Sequence, residues 1–168
     1  AAVGCGGYTG PPSSPGGPGT TENYNGTSWT SGGTMGTPRR NMGNAGTQTA
    51  GLGFGGYAAG SIDATEEYDG SAWTAGGALP TIRNYMSGCG TQTAAFAAGG
   101  VAAPGAGVLA TTDTYDGTSW TGAAAMSTAR KQFRGGAGTK ANGLVFGGLI
   151  PPSVAQNLTE EFSGGTAA

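Results

Sequence analysis

One phrase recurs along this chain, and it restricts the possible folds more than any other feature. Its landmarks are an acidic residue two places before an aromatic, a Gly turn, a tryptophan, a Thr-x-Arg and a Gly-Gly. The aromatic position is filled by Tyr24, Tyr68, Tyr115 and Phe162, spaced 44, 47 and 47 residues apart. Trp29, Trp73 and Trp120 follow at the tryptophan position, Arg39, Arg83 and Arg130 at the arginine position. Glycine pairs close each turn at Gly6-Gly7, Gly55-Gly56, Gly99-Gly100 and Gly147-Gly148. A period of about 47 with a strand-like pattern predicts an array of supersecondary units, such as propeller blades, rather than one irregular globule.

Composition explains why each unit needs an aromatic anchor. The chain has 37 glycines in 168 residues, about three times the usual share. Hydrophobic residues make up 36%, much of it alanine. Each Trp, Tyr or Phe removes about 150–250 Å² from water, so a few rings supply most of the burial. Glycine recurs too often for a helix of ordinary length, and no segment carries apolar residues at i, i+3, i+4, i+7.

Within one period the predicted order is four short strands. After Arg39 a strand leads to a turn at Gly46-Thr47-Gln48 and a second strand ends in Gly55-Gly56. A third strand carries the aromatic and a fourth the tryptophan. Asn25-Gly26, Asp69-Gly70, Asp116-Gly117 and Ser163-Gly164 join the third to the fourth, since these pairs tolerate positive φ. Residues 1–8 read as one buried strand, and GLGFGG as turn chemistry. Variable loops at 57–64, 101–111 and 149–158 are where partners are expected, with Tyr8 and Tyr57 placed for contacts there.

The order Arg, strand, strand ending in Gly-Gly, tyrosine, tryptophan resembles the kelch repeat over nearly the whole chain. That resemblance implies an all-β fold of kelch-like β-propeller blades, each a four-stranded antiparallel sheet with strands a to d from the axis outward. It divides the chain into 1–38 (strands b-c-d), 39–82 and 83–129 (complete blades) and 130–168 (strands a-b-c). Fourteen strands result, and neither end supplies the missing a and d. The expectation is therefore a window of a longer array or an open unit completed by a neighbouring copy, not a self-contained ring. The simplified YDGTSWT and GTQTA texture also resembles repeats of marine bacteriophage structural proteins of tails, fibres or other appendages.

The periodic acids Glu22, Glu66, Asp113 and Glu160 read as structural: they pair with the arginine of a neighbouring unit or cap loop amides. The alternative is a ring of carboxylates for cations or sugars. Arg39, Arg83 and Arg130 read as links between blades, the alternative being an anion-binding face. Lys131, Arg134 and Lys140 read as a solvated face. Cys5 and Cys89 read as two small buried thiols, with a disulfide as the alternative. Asn25 and Asn157 open Asn-x-Thr sequons, which matter only where secreted proteins are glycosylated.

Function classes narrow accordingly. Seven basic against nine acidic residues give no footprint for nucleic acid or anionic membranes, and no apolar run reaches membrane-span length. Histidine is absent, which removes Ser-His-Asp and Cys-His machinery and the copper ligands of galactose oxidase, a kelch-type enzyme. No metal, cofactor or catalytic residue is expected. The expected function is a non-enzymatic virion appendage component whose partners are other virion proteins or copies of itself. The alternative is a secreted or cell-surface module binding a host glycan or protein through its loops.

Overall fold

The computed structural model describes residues 1–8, 17–102, 107–133 and 135–164. Among them are eighteen strands and no helix, hence no helix long and apolar enough to cross a membrane. The first sheet holds β1 (Ala2–Cys5), β2 (Thr21–Tyr24) and β3 (Trp29–Ser31) in that order. The second holds β4 (Gly43–Thr47), β5 (Ala50–Phe54), β6 (Thr65–Tyr68) and β7 (Trp73–Gly76). Then β8 (Arg83–Asn84) precedes β9 (Ser87–Thr91) and β10 (Ala94–Ala98), with β11 (Val101–Ala102) before β12 (Thr112–Tyr115) and β13 (Trp120–Ala123). The third sheet is β9-β10-β12-β13, while β8 and β11 pair apart from it. Last come β14 (Gly135–Gly138), β15 (Asn142–Phe146), β16 (Leu149–Ile150), β17 (Val154–Ala155) and β18 (Thr159–Ser163). The fourth sheet is β14-β15-β18, and β16 pairs with β17.

All pairings are antiparallel, and the two complete sheets share one register: Tyr68 faces Trp73 and Tyr115 faces Trp120 across the outer hairpins. These four sheets hold three, four, four and three strands along the chain. The additional β8/β11 and β16/β17 ladders are two residues long, too short to leave a periodic signature. The expected turn at Gly46-Thr47-Gln48 sits slightly later: β4 runs through Thr47 and β5 resumes at Ala50. GLGFGG is not a turn; Gly51 to Phe54 belong to β5 and only Gly55-Gly56 leave it.

Alternation assigns a face to every residue. In β6, Thr65 and Glu67 point towards the third sheet, while Glu66 and Tyr68 point towards the first. Tyr68 meets Asn23 of β2 and Trp120 meets Thr65, so neighbouring sheets in sequence are packed face to face. The core lies in these seams. Leu52, Phe54, Leu79, Met86, Ala95, Ala97, Tyr115 and Trp120 fill the seam between the second and third sheets. Cys89, Phe96, Ala98 and Val145, with Met126, Phe133 and Phe162 against them, fill the next.

Two expectations about burial fail at the ends of the stack. The β1 strand is only partly buried, from exposed Ala2 to intermediate Cys5, because only one of its faces is covered. Trp29 is 55% exposed for the same reason, whereas Trp120 is 7% exposed. Among the described residues no pairing joins the first and fourth sheets, and Ala168 lies outside them.

Glycine lets the sheets approach along one line. A Cβ on Gly33 would overlap the Ser71 carbonyl oxygen, and one on Gly77 the Thr118 carbonyl oxygen. These are backbone atoms of the next unit's outer hairpin and cannot swing away. Gly77→Ala is therefore expected to cost about 1–3 kcal/mol, read as a lowered midpoint in urea. Gly60→Ala is the control, since a Cβ there meets nothing within 4 Å, and should leave the midpoint unchanged.

Candidate functional site

The three periodic arginines are fully buried, each at 0% exposure. Arg39 pairs with Glu66 at 3.3 Å and donates from Nη1 to the Ala64 carbonyl at 2.9 Å. Arg83 pairs with Asp113 and donates from Nη1 to the Thr111 hydroxyl at 2.6 Å. Arg130 pairs with Glu160 at 2.7 Å and donates to the Gly147 and Leu158 carbonyls at 2.9 and 3.0 Å. Each acid thus meets the arginine of its own unit, not of a neighbouring one. Amide capping occurs as well: Glu66 Oε1 accepts from Thr37 N at 2.9 Å and Glu160 Oε2 from Ser127 N at 2.6 Å.

Burial lowers the Arg39 and Arg83 guanidinium groups and raises the Asp113 carboxyl, against the pull of each partner's charge. Burial would also raise Glu160, but the Ser127 hydrogen bonds and Arg130 outweigh it and hold that carboxyl below its ordinary value. Glu22 is exposed on the uncovered face of the first sheet. Three of the four periodic acids are thus held in ion pairs, and the fourth faces outward.

The arginine carbonyls do link successive units. Gly7, Gly56 and Gly100 donate to the carbonyls of Arg39, Arg83 and Arg130 at 3.2, 2.9 and 2.9 Å. All four glycine pairs have positive φ, including Gly55 at 58° and Gly147 at 69°. A Cβ on Gly55 would stand 2.7 Å from the Arg83 oxygen. The Gly-Gly landmark is therefore a left-handed hinge pressed onto the next unit's backbone.

The tryptophans and tyrosines form the second link. Trp73 Nε1 donates to Thr21 Oγ1 at 2.8 Å and Trp120 Nε1 to Thr65 Oγ1 at 2.9 Å, each threonine belonging to the preceding unit. Each indole lies against its own tyrosine, with centroids 4.9 Å apart for Tyr68–Trp73 and 5.0 Å for Tyr115–Trp120. Phe54 covers Trp120 at 4.7 Å. Tyr68 OH accepts from Asn23 Nδ2 at 2.9 Å, while Tyr115 OH donates to Glu67 Oε1 at 2.6 Å.

Burial, and then the Glu67 carboxylate, push the Tyr115 phenol up to about 12 from an ordinary value of 10.0. A phenol raised on folding contributes stability that is complete below pH 10 and is lost as pH rises from 10 to 12. Thermal melts should fall across that window by an amount on the order of 2 kcal/mol, and Tyr115→Phe should flatten the fall.

The seam between the third and fourth units departs from this scheme. Phe162 replaces tyrosine and stacks on Phe96 at 4.5 Å. Ala123-Ala124 stand where Gly32-Gly33 and Gly76-Gly77 stand in the earlier units. Lys140 occupies the position of Gln92, which spans the second seam by donating to the Gly51 and Tyr68 carbonyls. A groove of about 1000 Å³ opens here, lined by Thr114, Gly122, Ala123, Ala124, Lys140 and Phe162 among others.

At the loop end, the structure brings together the two tyrosines expected to make contacts. The Arg40 guanidinium lies 4.9 Å from the Tyr8 ring centroid and 4.8 Å from that of Tyr57, within cation–π range of both. Tyr8 is 46% exposed. Arg40 and Tyr57 exchange backbone hydrogen bonds at 3.1 and 2.8 Å, which fixes the pair. Of the expected loops, residues 103–106 lie outside the described ones, as does Arg134.

The two cysteines are not bonded to each other; Cys89 is buried and Cys5 half-buried. Burial pushes the Cys5 thiol up to about 11. Asn25, at the first sequon, is an Asx turn whose side-chain oxygen accepts from Thr27 and Ser28 amides at 2.8 and 2.9 Å. Asp69 and Asp116 do the same, and the amides of Ala72 and Ser119 respectively lead in lowering their carboxyls. Among the described residues no cluster of three His, Cys, Asp or Glu side chains could hold a metal ion.

The chain matches no protein-family model, and no curated protein shows significant similarity to it. Sequence reading missed Thr21 and Thr65 as indole acceptors, Asn23 and Glu67 as partners of tyrosine hydroxyls, and Arg40. The threonines carried a signal: Thr21, Thr65, Thr112 and Thr159 stand three places before the aromatic in every unit.

Proposed function

We propose that the chain is a non-enzymatic structural and interaction protein, a bacteriophage virion appendage component in a tail, fibre or decoration, built of kelch-like propeller blades. The observation that carries this reading is the use of the periodic polar residues. All three arginines and three of the four periodic acids are committed to ion pairs within units, so this chemistry serves architecture rather than a ligand. The resemblance of YDGTSWT and GTQTA to phage structural repeats supplies the virion setting, with other virion proteins or further copies as partners.

The test is immuno-electron microscopy of particles and cells from the source, using an antibody against this chain. Label on tails or fibres is expected, and label confined to the cell envelope would contradict the virion reading. A second reading, a surface module that binds glycans, is favoured by one observation, the Tyr8–Arg40–Tyr57 sandwich. Planar aromatic rings at the loop end suit stacking against a sugar. Glycan-array binding that Tyr8→Ala and Tyr57→Ala both abolish would establish it.

A further inference from the structure

The seam between the second and third sheets is a lock with two halves, and both halves recur on open faces at opposite ends of the chain. One half is the pair that the third sheet turns to the second, Tyr115 tilted against Trp120 with centroids 5.0 Å apart. The other is the face that receives it: Phe54 against the indole, Thr65 accepting the indole N–H and Glu67 accepting the phenol O–H. The first sheet carries the inserting half on its uncovered face. There Tyr24 and Trp29 lie tilted against each other with centroids 5.0 Å apart, and Gly4 lies beneath the Trp29 ring as Gly53 lies beneath that of Trp73.

The fourth sheet carries the receiving half. By repeat position, Phe146 corresponds to Phe54, Thr159 to Thr65 and Glu161 to Glu67. Alternation puts these three on the face turned away from the third sheet, since Val145 and Phe162 face inward. All three are exposed; Phe146 is 37% exposed where its counterpart Phe54 is fully buried. Trp29 is the one indole of three without a threonine partner among the described residues.

We infer that the first sheet of one copy docks head to tail on the fourth sheet of a second copy. Trp29 then packs on Phe146 and donates to Thr159, and the Tyr24 hydroxyl, which donates to the Gly26 carbonyl at 2.9 Å in the free chain, turns to donate to Glu161. The inference rests on the proposed role as a self-packing structural module and names the surfaces it uses. Because the two halves differ, the contact is heterologous and propagates to a ring or a filament, not a symmetric dimer. The partner is identified by the template inside the chain itself, where the same residue types at the same positions already make this contact.

The experiment uses the 168-residue chain and reads its mass by sedimentation equilibrium over rising concentration. Trp29→Ser blocks the inserting half and Phe146→Ser the receiving half; both positions are exposed, so folding is retained and is checked by the midpoint in urea. The parent is expected to self-associate, and each variant to do so at least about tenfold more weakly. Mixing the two variants is expected to restore a one-to-one dimer, because each retains the half that the other lacks.

A parent that stays monomeric overturns the inference. So does association that Trp29→Ser alone weakens, which describes a symmetric contact, and so does a mixture that stays monomeric. Antibody labelling of virions is independent of all three results, so failure of this pairing is distinguishable from failure of the virion reading.

Discussion

Arg83→Met is expected to destabilise the chain by about 3–5 kcal/mol, a large share of the roughly 5–15 kcal/mol that holds a typical domain together. The guanidinium is wholly buried, and Asp113 beside it is only 5% exposed. Removing one partner leaves a carboxylate with neither water nor a counter-charge, and it strips the donor from the Thr111 hydroxyl and carbonyl. Burial already raises the Asp113 carboxyl, and without Arg83 it would rise further. A carboxyl raised on folding is tolerated below its unfolded value and costs stability as pH rises through the folded value. The defect should therefore be smaller near pH 4 than near pH 8. Arg83→Met combined with Asp113→Leu should recover much of the loss, because removing both charges leaves nothing unpaired. Urea midpoints of the two single variants and the double variant measure this cycle. A single variant within about 1 kcal/mol of the parent would mean that the pair is not an internal anchor.

The second large effect separates two tryptophans that are equivalent in sequence. Trp120→Ala should cost about 3–5 kcal/mol, because it empties the space between Phe54 and Tyr115 and leaves the Thr65 hydroxyl without its donor. Trp29→Ala should cost less than about 1 kcal/mol in the dissociated chain, since more than half of that indole already faces water. Equal losses would contradict the assignment of Trp29 to an uncovered face. Urea unfolding followed by far-ultraviolet circular dichroism reads both, and avoids a fluorescence signal that the substitutions themselves remove.

The strand order was legible in the sequence because the landmarks fall where the backbone has no freedom. Gly55 needs a left-handed φ, Arg83 needs a buried acceptor set, and Asp69 needs free amides two and three residues ahead. Each demand selects one residue type, and each returns with the repeat. The partner of each arginine was not legible, because Glu66 lies between Arg39 and Arg83 along the chain and spacing alone favours neither. Face alternation decides it: Glu66 points back towards the first seam, beside Arg39. The exposure of Trp29 was also hidden, because burial depends on what covers the outer face of the first sheet and not on the residue or its strand. The Arg40 sandwich had no periodic signal at all. Its equivalents are Asn84 and Lys131, so only the fold shows that Tyr8 and Tyr57 converge on it.

Hydrogen exchange of the three indole N–H groups, read by ¹H–¹⁵N NMR on a dilute sample, tests the central claim most directly: units join by an indole inserted into the preceding sheet. Trp73 and Trp120 should exchange slowly, because each donates to a threonine within a seam, and Trp29 should exchange at the rate of a solvated indole. Three fast indoles would contradict the seams, and a Trp29 as protected as Trp120 in the dissociated chain would contradict the open first face.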